Sequence, residues 1–462
     1  MRKIDAIIIG SGQGGMPLAK KLAKAGWQTA IIEKRLIGGT CINDGCTPTK
    51  SMISCAAAAY TIANSKEWGI TVDSYRINLE KITDRKDKVV SKFRDGATKG
   101  LEETEGLSII YGEAAFSGPE TVTVRLHNND ETEEILTAKH IFINAGTSPK
   151  IPPIPGLDKV SYLTNTTLLD IKKLPSHLVI IGGSYIALEF GQMFRRLGSQ
   201  VTLLEASAQL LKREDEDVAA AVRKVMETAG ITVHTNANIH KVEQTGDTVR
   251  LSVASGGQTM AITGSHLLVA TGRTPQTKAL QPEKAGIALD EKGYIIVNDR
   301  LETSVTGIYA IGDIKGGPAF THISYNDHFI VYKNLVEKGN ASIKDRPVPY
   351  CMFTDPQLGR VGMTEKAARE AGFKVKVACL NYENVARAIE TGHTEGFMKA
   401  VVDADTDKIL GAAILGAEGG EVMSVVQMAI SGGFTATQMH EMVFAHPLYA
   451  ESLNNLFTTL KK

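Results

Sequence analysis

One arrangement of residues governs how this chain can fold: an apolar run, a glycine-rich turn, a helix, and a second apolar run ending in a carboxylate. It occurs twice. The first copy takes Ile4 to Ile9 into Gly10-Ser-Gly12-Gln-Gly-Gly15, a helical stretch from Met16 to Ala25, and a strand from Thr29 to Ile32 that stops at Glu33. The second takes Leu178 to Ile181 into Gly182-Gly183-Ser184-Tyr185-Ile186-Ala187, a helix from Leu188 to Leu197, and a strand from Val201 to Leu204 that stops at Glu205. Glycines at such a turn let the backbone approach a pyrophosphate at a helix N-terminus, and the acid about 20 residues on binds a ribose hydroxyl. Ser184 stands where the second glycine of the pattern belongs. Its Cβ is expected to crowd a pyrophosphate, which keeps open a second unit that has lost its nucleotide. A carboxylate at the strand tip accepts a free 2′-hydroxyl and repels a 2′-phosphate, so Glu33 fits FAD or NAD and Glu205 predicts NADH over NADPH. Arg213, shortly beyond Glu205, leaves NADPH open.

Length and punctuation set the organisation. At roughly 150 residues per domain the 462 residues suggest about three domains. A strand Ile141-Phe-Ile-Asn-Ala145-Gly146 runs into a cluster of Pro149, Pro152, Pro153 and Pro155, which marks a linker. Leu267 to Ala270, followed by Thr271-Gly272-Arg273, closes the second unit, and Gly307 to Ile311 ends in Gly312-Asp313. Beyond Pro347 and Pro349 the runs Phe397 to Val402 and Ile409 to Leu415 alternate and then give way to helices. We therefore expect an α/β chain with two Rossmann-like domains, 1–149 continued by 272–346 and the inserted 150–271, and a C-terminal α+β domain, 347–462, that packs against another subunit.

Lys plus Arg and Asp plus Glu both number 51, so a nucleic-acid-binding surface is not expected. The longest uncharged stretches, Ser51 to Ser65 and Val422 to Met439, carry too many polar residues to read as membrane spans. The apolar run at the start is too short for a leader peptide. Five cysteines are too few for a disulfide scaffold and favour the cytoplasm.

Two of those cysteines lie in the most informative segment, Gly38-Gly39-Thr40-Cys41-Ile42-Asn43-Asp44-Gly45-Cys46-Thr47-Pro48-Thr49-Lys50. Pro48 and the run Ala56 to Ala59 predict a helix beginning near Cys46, and a helix N-terminus makes a cysteine a better thiolate and leaving group. Lys50 falls on the same helix face as Cys46 and can hold a cofactor atom near it. A buried structural pair and half of a metal site are the other readings. The metal reading lacks a second Cys or His pair at ligand spacing.

On these motifs the chain resembles the pyridine nucleotide-disulfide oxidoreductases of the glutathione reductase, lipoamide dehydrogenase and mercuric reductase group. The pattern GGTCxNxGCxPxK, the two glycine turns, Gly312-Asp313 and His446-Pro447 carry the resemblance along the whole chain. It implies FAD at the first turn and NADH at the second, with a homodimer. Gly10, Gly12, Gly15, Glu33, Gly39, Thr40, Lys50, Ala114, Ala145, Gly146, Gly312, Asp313, Phe320, Thr321 and His322 would contact cofactor. Gly182, Gly183, Tyr185, Ile186, Glu205, Gly272 and Arg273 would serve the second nucleotide, with Tyr185 covering the nicotinamide pocket. Lys50 would pair with Glu189 beside the flavin, and Asp313 would hold the ribityl chain. Cys46 would be the charge-transfer thiol and Cys41 the interchange thiol. His446, oriented by Glu451, would act as acid/base from the other subunit.

The same resemblance thins at the substrate. Lipoamide dehydrogenases usually read His-Pro-Thr-x-x-Glu, and Leu448 stands here in place of the threonine. Mercuric reductases typically end in paired cysteines, whereas the tail from Ser452 carries none. Phe353 to Glu365 and Glu451 to Phe457 are similar to a mercuric-reductase-like bacterial subgroup linked to reactive chlorine and thiocyanate oxidants. The expectation is NADH-dependent reduction of a small oxidant or disulfide. Lipoamide oxidation, metal-ion reduction and a non-catalytic flavin redox sensor are the alternatives.

Overall fold

The computed structural model describes residues 1–127 and 132–460. The two glycine-turn units come out as the same piece of geometry. In the first, strands Leu107–Gly118, Thr29–Glu33, Arg2–Ile9, Glu133–Ile143 and Ile308–Ala310 lie side by side in parallel, and Thr121–Leu126 is antiparallel to its two neighbours. In the second, His266–Val269, His177–Ile181, Gln200–Leu204 and Thr232–His234 form a four-stranded parallel sheet. These strands read as near-continuous apolar runs because helices cover both faces of a parallel sheet.

Hydrogen bonds at the two turns match one for one. The amide of Gly10 donates to Ile32 O and that of Gly182 to Leu204 O, both at 2.8 Å. The next crossing strand caps each turn: Asn144 N donates to Ile9 O (2.7 Å) and Ala270 N to Ile181 O (2.8 Å). Gly10 and Gly182 have φ of +101° and +124°, and a Cβ on either would sit 2.4 Å from a carbonyl oxygen, that of Asn144 or Ala270. Only glycine fits both constraints.

One boundary differs from the sequence expectation. The helix after the second turn begins at Tyr185 rather than Leu188 and runs to Arg196. Ser184 takes the N-cap position with extended backbone (φ −98°, ψ 177°), so Tyr185 and Ile186 belong to the first helical turn. Ser184 is exposed there, and its backbone accommodates a Cβ without strain.

A short antiparallel ribbon, Thr147–Pro149 with Arg273–Pro275, carries the chain across to the second unit and back. The second unit also holds an antiparallel three-stranded sheet, Asn238–Thr245, Thr248–Ser255 and Gln258–Gly264. The C-terminal segment is a five-stranded antiparallel sheet in the order Tyr350–Met352, Gln357–Gly362, Ile409–Gly416, Phe397–Asp403, Val375–Asn381. Helix Gly419–Gly432 packs on it, burying Val422, Met423 and Val426.

The helix Cys46–Ala63 is where these layers meet. Met52, Ala56 and Ala59 on one face join a core cluster with Phe190 and Met193 of the second unit and Met352 and Leu358 of the C-terminal sheet. A fully buried Met side chain contributes about 1.5–3 kcal/mol relative to exposure. That packing ties the helix, whose first residue is Cys46, to the second unit and to the C-terminal sheet.

Candidate active site

A cavity of about 1110 Å³ runs along the first glycine turn, past the thiols, to the start of helix Tyr185–Arg196. Its wall includes Gly10, Gly12, Glu33, Gly39, Thr40, Cys41, Cys46, Lys50, Ala114, Ala145, Gly146, Tyr185, Ile186, Glu189, Arg273, Asp313, Phe320, Thr321 and His322. Gly15, Gly182, Gly183, Glu205, Gly272, Gly312, His446 and Glu451 lie outside this wall.

Cys41 sits in the short helix Gly39–Asn43, and Cys46 is the first residue of Cys46–Ala63. The Cys41 thiol donates to Cys46, and this hydrogen bond is the largest influence holding Cys46 down at about 6. Burial opposes it, while a contact of 3.3 Å to Thr321 Oγ1 and the charge of Lys50 add to it. The same bond pushes Cys41 up, and burial reinforces that direction. Cys46 is therefore the thiolate and Cys41 the thiol, as expected for a cysteine at a helix N-terminus with a proton donor beside it.

Lys50, one turn along, places Nζ 2.6 Å from Glu189 Oε2. Glu189 is buried, and its other oxygen accepts the Phe353 amide at 2.8 Å. The Phe353 ring lies under Lys50 Nζ, 4.8 Å to the centroid. Gln192, on the same helix, exchanges two 2.7 Å bonds with the Asp355 backbone, and Arg196 pairs with the Asp355 side chain at 2.7 Å. Three successive turns of helix Tyr185–Arg196 thus grip one loop of the C-terminal sheet.

Whether a dinucleotide fits the first turn can be tested on its carboxylate and its backbone. Glu33 is buried on the cavity wall, and its oxygens accept Ser11 N (3.0 Å), Ser11 Oγ (2.6 Å) and Arg35 N (2.8 Å). A Cβ on Gly39 would lie 2.8 Å from Gly12 Cα, so two bare backbones face one another beside the N-terminus of helix Gly15–Lys24. These residues fit the pyrophosphate and ribose of a dinucleotide. Asn144 closes the arrangement: Oδ1 accepts Gly15 N at 2.8 Å and Nδ2 donates to Ile311 O at 3.0 Å. Asp313 lines the far end, raised by burial against the charge of Arg273, with Thr147 Oγ1 at 3.3 Å. The Gly312 amide donates to the fully buried Asp327 at 2.8 Å.

At the second turn Glu205 Oε1 accepts Ser207 N at 2.7 Å, the counterpart of Arg35 N on Glu33. A Cβ on Gly183 would meet Glu205 Oε2 at 2.8 Å, so that glycine makes room for the acid. Tyr185, pushed up to about 12 by burial, and Phe320, 6.0 Å away, stand between the second turn and the thiols. His446 Nδ1 lies 3.0 Å from Glu451 Oε2. A carboxylate only accepts, so Nδ1 is the donor in this pair and Nε2 is the ring nitrogen it leaves for another partner.

A family model described as pyridine nucleotide-disulphide oxidoreductase matches residues 4–327. The chain belongs to this family. A second model, the pyridine nucleotide-disulphide oxidoreductase dimerisation domain, matches residues 348–457. The probable pyridine nucleotide-disulfide oxidoreductase RclA of Escherichia coli (strain K12) is 38% identical over 465 residues, covering 100% of both chains. A mercuric reductase of Staphylococcus aureus is 35% identical over 99% of this chain and 82% of its own length. Among solved structures, the Cu(II) complex of the HOCl-induced flavoprotein disulfide reductase RclA from Escherichia coli superposes with a TM-score of 0.90 at 36% identity, covering 100% of each chain.

A pyridine nucleotide-disulfide oxidoreductase of this kind is an FAD-containing enzyme that uses NAD(P)H. Among the described residues no helix is long and apolar enough to cross a membrane. Several polar residues of this oxidoreductase's site escape a reading by motif: Ser11, Asn144 and Thr147 on the cavity wall, and Asp327 buried beneath Gly312. Only Asn144 left a signal, as a lone amide ending the apolar run Ile141-Phe-Ile.

Proposed function

We propose that this enzyme uses the Cys41–Cys46 pair to carry electrons from NADH to a small oxidant or disulfide. The observation that carries the reading is the placement of the thiols: Cys41 and Cys46 both line the cavity that runs from the first nucleotide turn to Tyr185, with Lys50 on the same wall and Thr321 Oγ1 3.3 Å from the Cys46 sulfur. FAD, when bound, supplies the two-electron relay between the nicotinamide and the disulfide. Gly10, Gly12, Glu33 and Asp313 would hold it, with Lys50 beside its ring. The Cys41–Cys46 disulfide takes up two electrons and one proton, leaving a thiol on Cys41 and a thiolate on Cys46. Nε2 of His446 removes the Cys41 proton, and Cys41 attacks one sulfur of a disulfide acceptor, expelling the other as a thiolate that His446 protonates. Cys46 then attacks Cys41, expels the second sulfur as a thiolate that takes its proton from solvent, and restores the internal disulfide. Lys50 holds the Cys46 charge, and Glu189 holds Lys50.

His446 lies off the cavity of its own chain, in a segment flanked by Val443 (95% exposed) and Leu448, with Met428 also exposed. This apolar surface supports a homodimer in which each subunit lends His446 and Glu451 to its partner. Residues 1–149 with 272–346, 150–271 and 347–462 would be the FAD, NADH and dimerisation domains. The Glu205 carboxylate, with Oε1 held by Ser207 N and Oε2 beside Gly183, supports NADH over NADPH. Five cysteines, too few for a disulfide scaffold, support the cytoplasm as the compartment.

The RclA named in the solved structure is induced by HOCl, which supports a small oxidant over lipoamide here. The experiment is initial-rate NADH and NADPH oxidation by purified holoenzyme with chloramine, Cu(II), a small aryl disulfide and lipoamide. NADH-driven reduction of a small acceptor, lost in Cys46→Ser, is the expected result. Lipoamide turnover far above the others would overturn it.

A further inference from the structure

The loop between the two thiols carries a charge of its own. Asp44 lies between Cys41 and Cys46, and its side chain is 12% exposed. Arg35 grips it with two guanidinium nitrogens, Nη1 to Oδ1 at 3.2 Å and Nη2 to Oδ2 in closer contact. Arg35 is itself anchored, because its amide donates to Glu33 Oε1 at the tip of the first unit's second strand. Two further bonds hold the Asp44 backbone: its amide donates to Thr40 O at 2.9 Å, and its carbonyl accepts Asn165 Nδ2 at 3.0 Å. Arg35, Asp44 and Asn165 all line the cavity that holds the thiols.

A carboxylate two residues before a cysteine that must hold negative charge works against the reduced form unless a cation balances it. Reduction of the pair adds two electrons and one proton and leaves one new negative charge, on Cys46. Any uncompensated charge in the intervening loop therefore enters the dithiol–disulfide equilibrium directly.

We propose that Arg35 and Asp44 form a positioning pair that fixes the dithiol loop and sets the redox equilibrium of Cys41–Cys46 by keeping the loop electrically neutral. The inference rests on the dithiol reading above. It predicts opposite signs for the two single variants. Asp44→Asn leaves Arg35 unbalanced, favours the thiolate and makes the pair more oxidising. Arg35→Met leaves Asp44 unbalanced and makes it more reducing.

The test equilibrates FAD-loaded wild type, Arg35→Met, Asp44→Asn and the double variant anaerobically in mixtures of reduced and oxidised dithiothreitol. Free thiols are trapped by alkylation, and the Cys41–Cys46 peptide is read by mass. Each single variant should move the equilibrium constant about tenfold in its own direction, roughly 30 mV for a two-electron couple. The double variant should return to within about threefold of wild type, since the two effects cancel. Shifts of the same sign in both singles, or none beyond about twofold, would overturn the proposal, because a merely structural loop contact has no reason to give opposite signs. A wild-type protein that never traps a Cys41–Cys46 disulfide would instead overturn the dithiol reading itself.

Discussion

At Cys46 several neighbours compete over one proton. Cys41, Thr321 and Lys50 favour the thiolate, while burial and the Glu189 carboxylate favour the thiol. The group is a thiolate above about 6 and gains its proton as pH falls through that value, so thiolate absorbance should disappear in the same window. Lys50→Met removes a favourable charge and should raise the midpoint by about half to one pH unit. Glu189→Gln removes an unfavourable charge and frees Lys50, so the midpoint should fall. Spectral pH titration of the two-electron-reduced variants checks both, and a shared direction of shift would contradict the arrangement. Helix position and spacing in the sequence were enough to make Cys41, Cys46 and Lys50 candidates. Thr321 was placed among cofactor contacts, and its hydroxyl on the Cys46 sulfur comes from a helix 275 residues away, which no local pattern encodes.

Among the elements, the first turn depends on a side chain outside it. Asn144 ties the N-terminus of helix Gly15–Lys24 to the carbonyl of Ile311. Asn144→Ala removes both bonds and leaves a buried amide and carbonyl without their partners, at about 1–3 kcal/mol each. FAD retained through gel filtration should fall, with affinity about 10–100-fold weaker. Full retention would show that the staple does not shape the cofactor site. The parallel strands were legible because burial on both faces makes them apolar runs bounded by glycine. Helix Leu79–Glu102 was not, since its buried positions include Thr83 and Lys86 beside Leu79, Val90 and Leu101, which breaks the apolar stripe. The ribbon Thr147–Pro149 with Arg273–Pro275 is too short, and too rich in proline, to register as strands.

For the whole molecule, the account requires two chains per working site. His446 and Glu451 form an exposed dyad, the His446 side chain 68% exposed, and the thiols lie in a cavity that neither residue lines. Cys46→Ser and His446→Ala should each be nearly inactive as pure dimers. Subunits of the two variants, mixed and reassembled at random, should recover about a quarter of wild-type activity, because each mixed dimer regains one intact site of two. No recovery despite proven subunit exchange would mean that His446 serves its own chain. This proposed division of labour comes only from family resemblance: the sequence shows His446 near Glu451, and nothing in its spacing says which chain's thiols it faces.

In the proposed function, electrons reach the acceptor through the Cys41–Cys46 disulfide. An anaerobic titration of the FAD-loaded protein with NADH, and separately with dithiothreitol, recorded from the near ultraviolet to the red, tests it most directly. After two electrons a broad long-wavelength band from the Cys46 thiolate against oxidised flavin is expected, absent in Cys46→Ser. Bleaching of the flavin from the first electron pair, with no such band in the wild type, would contradict it.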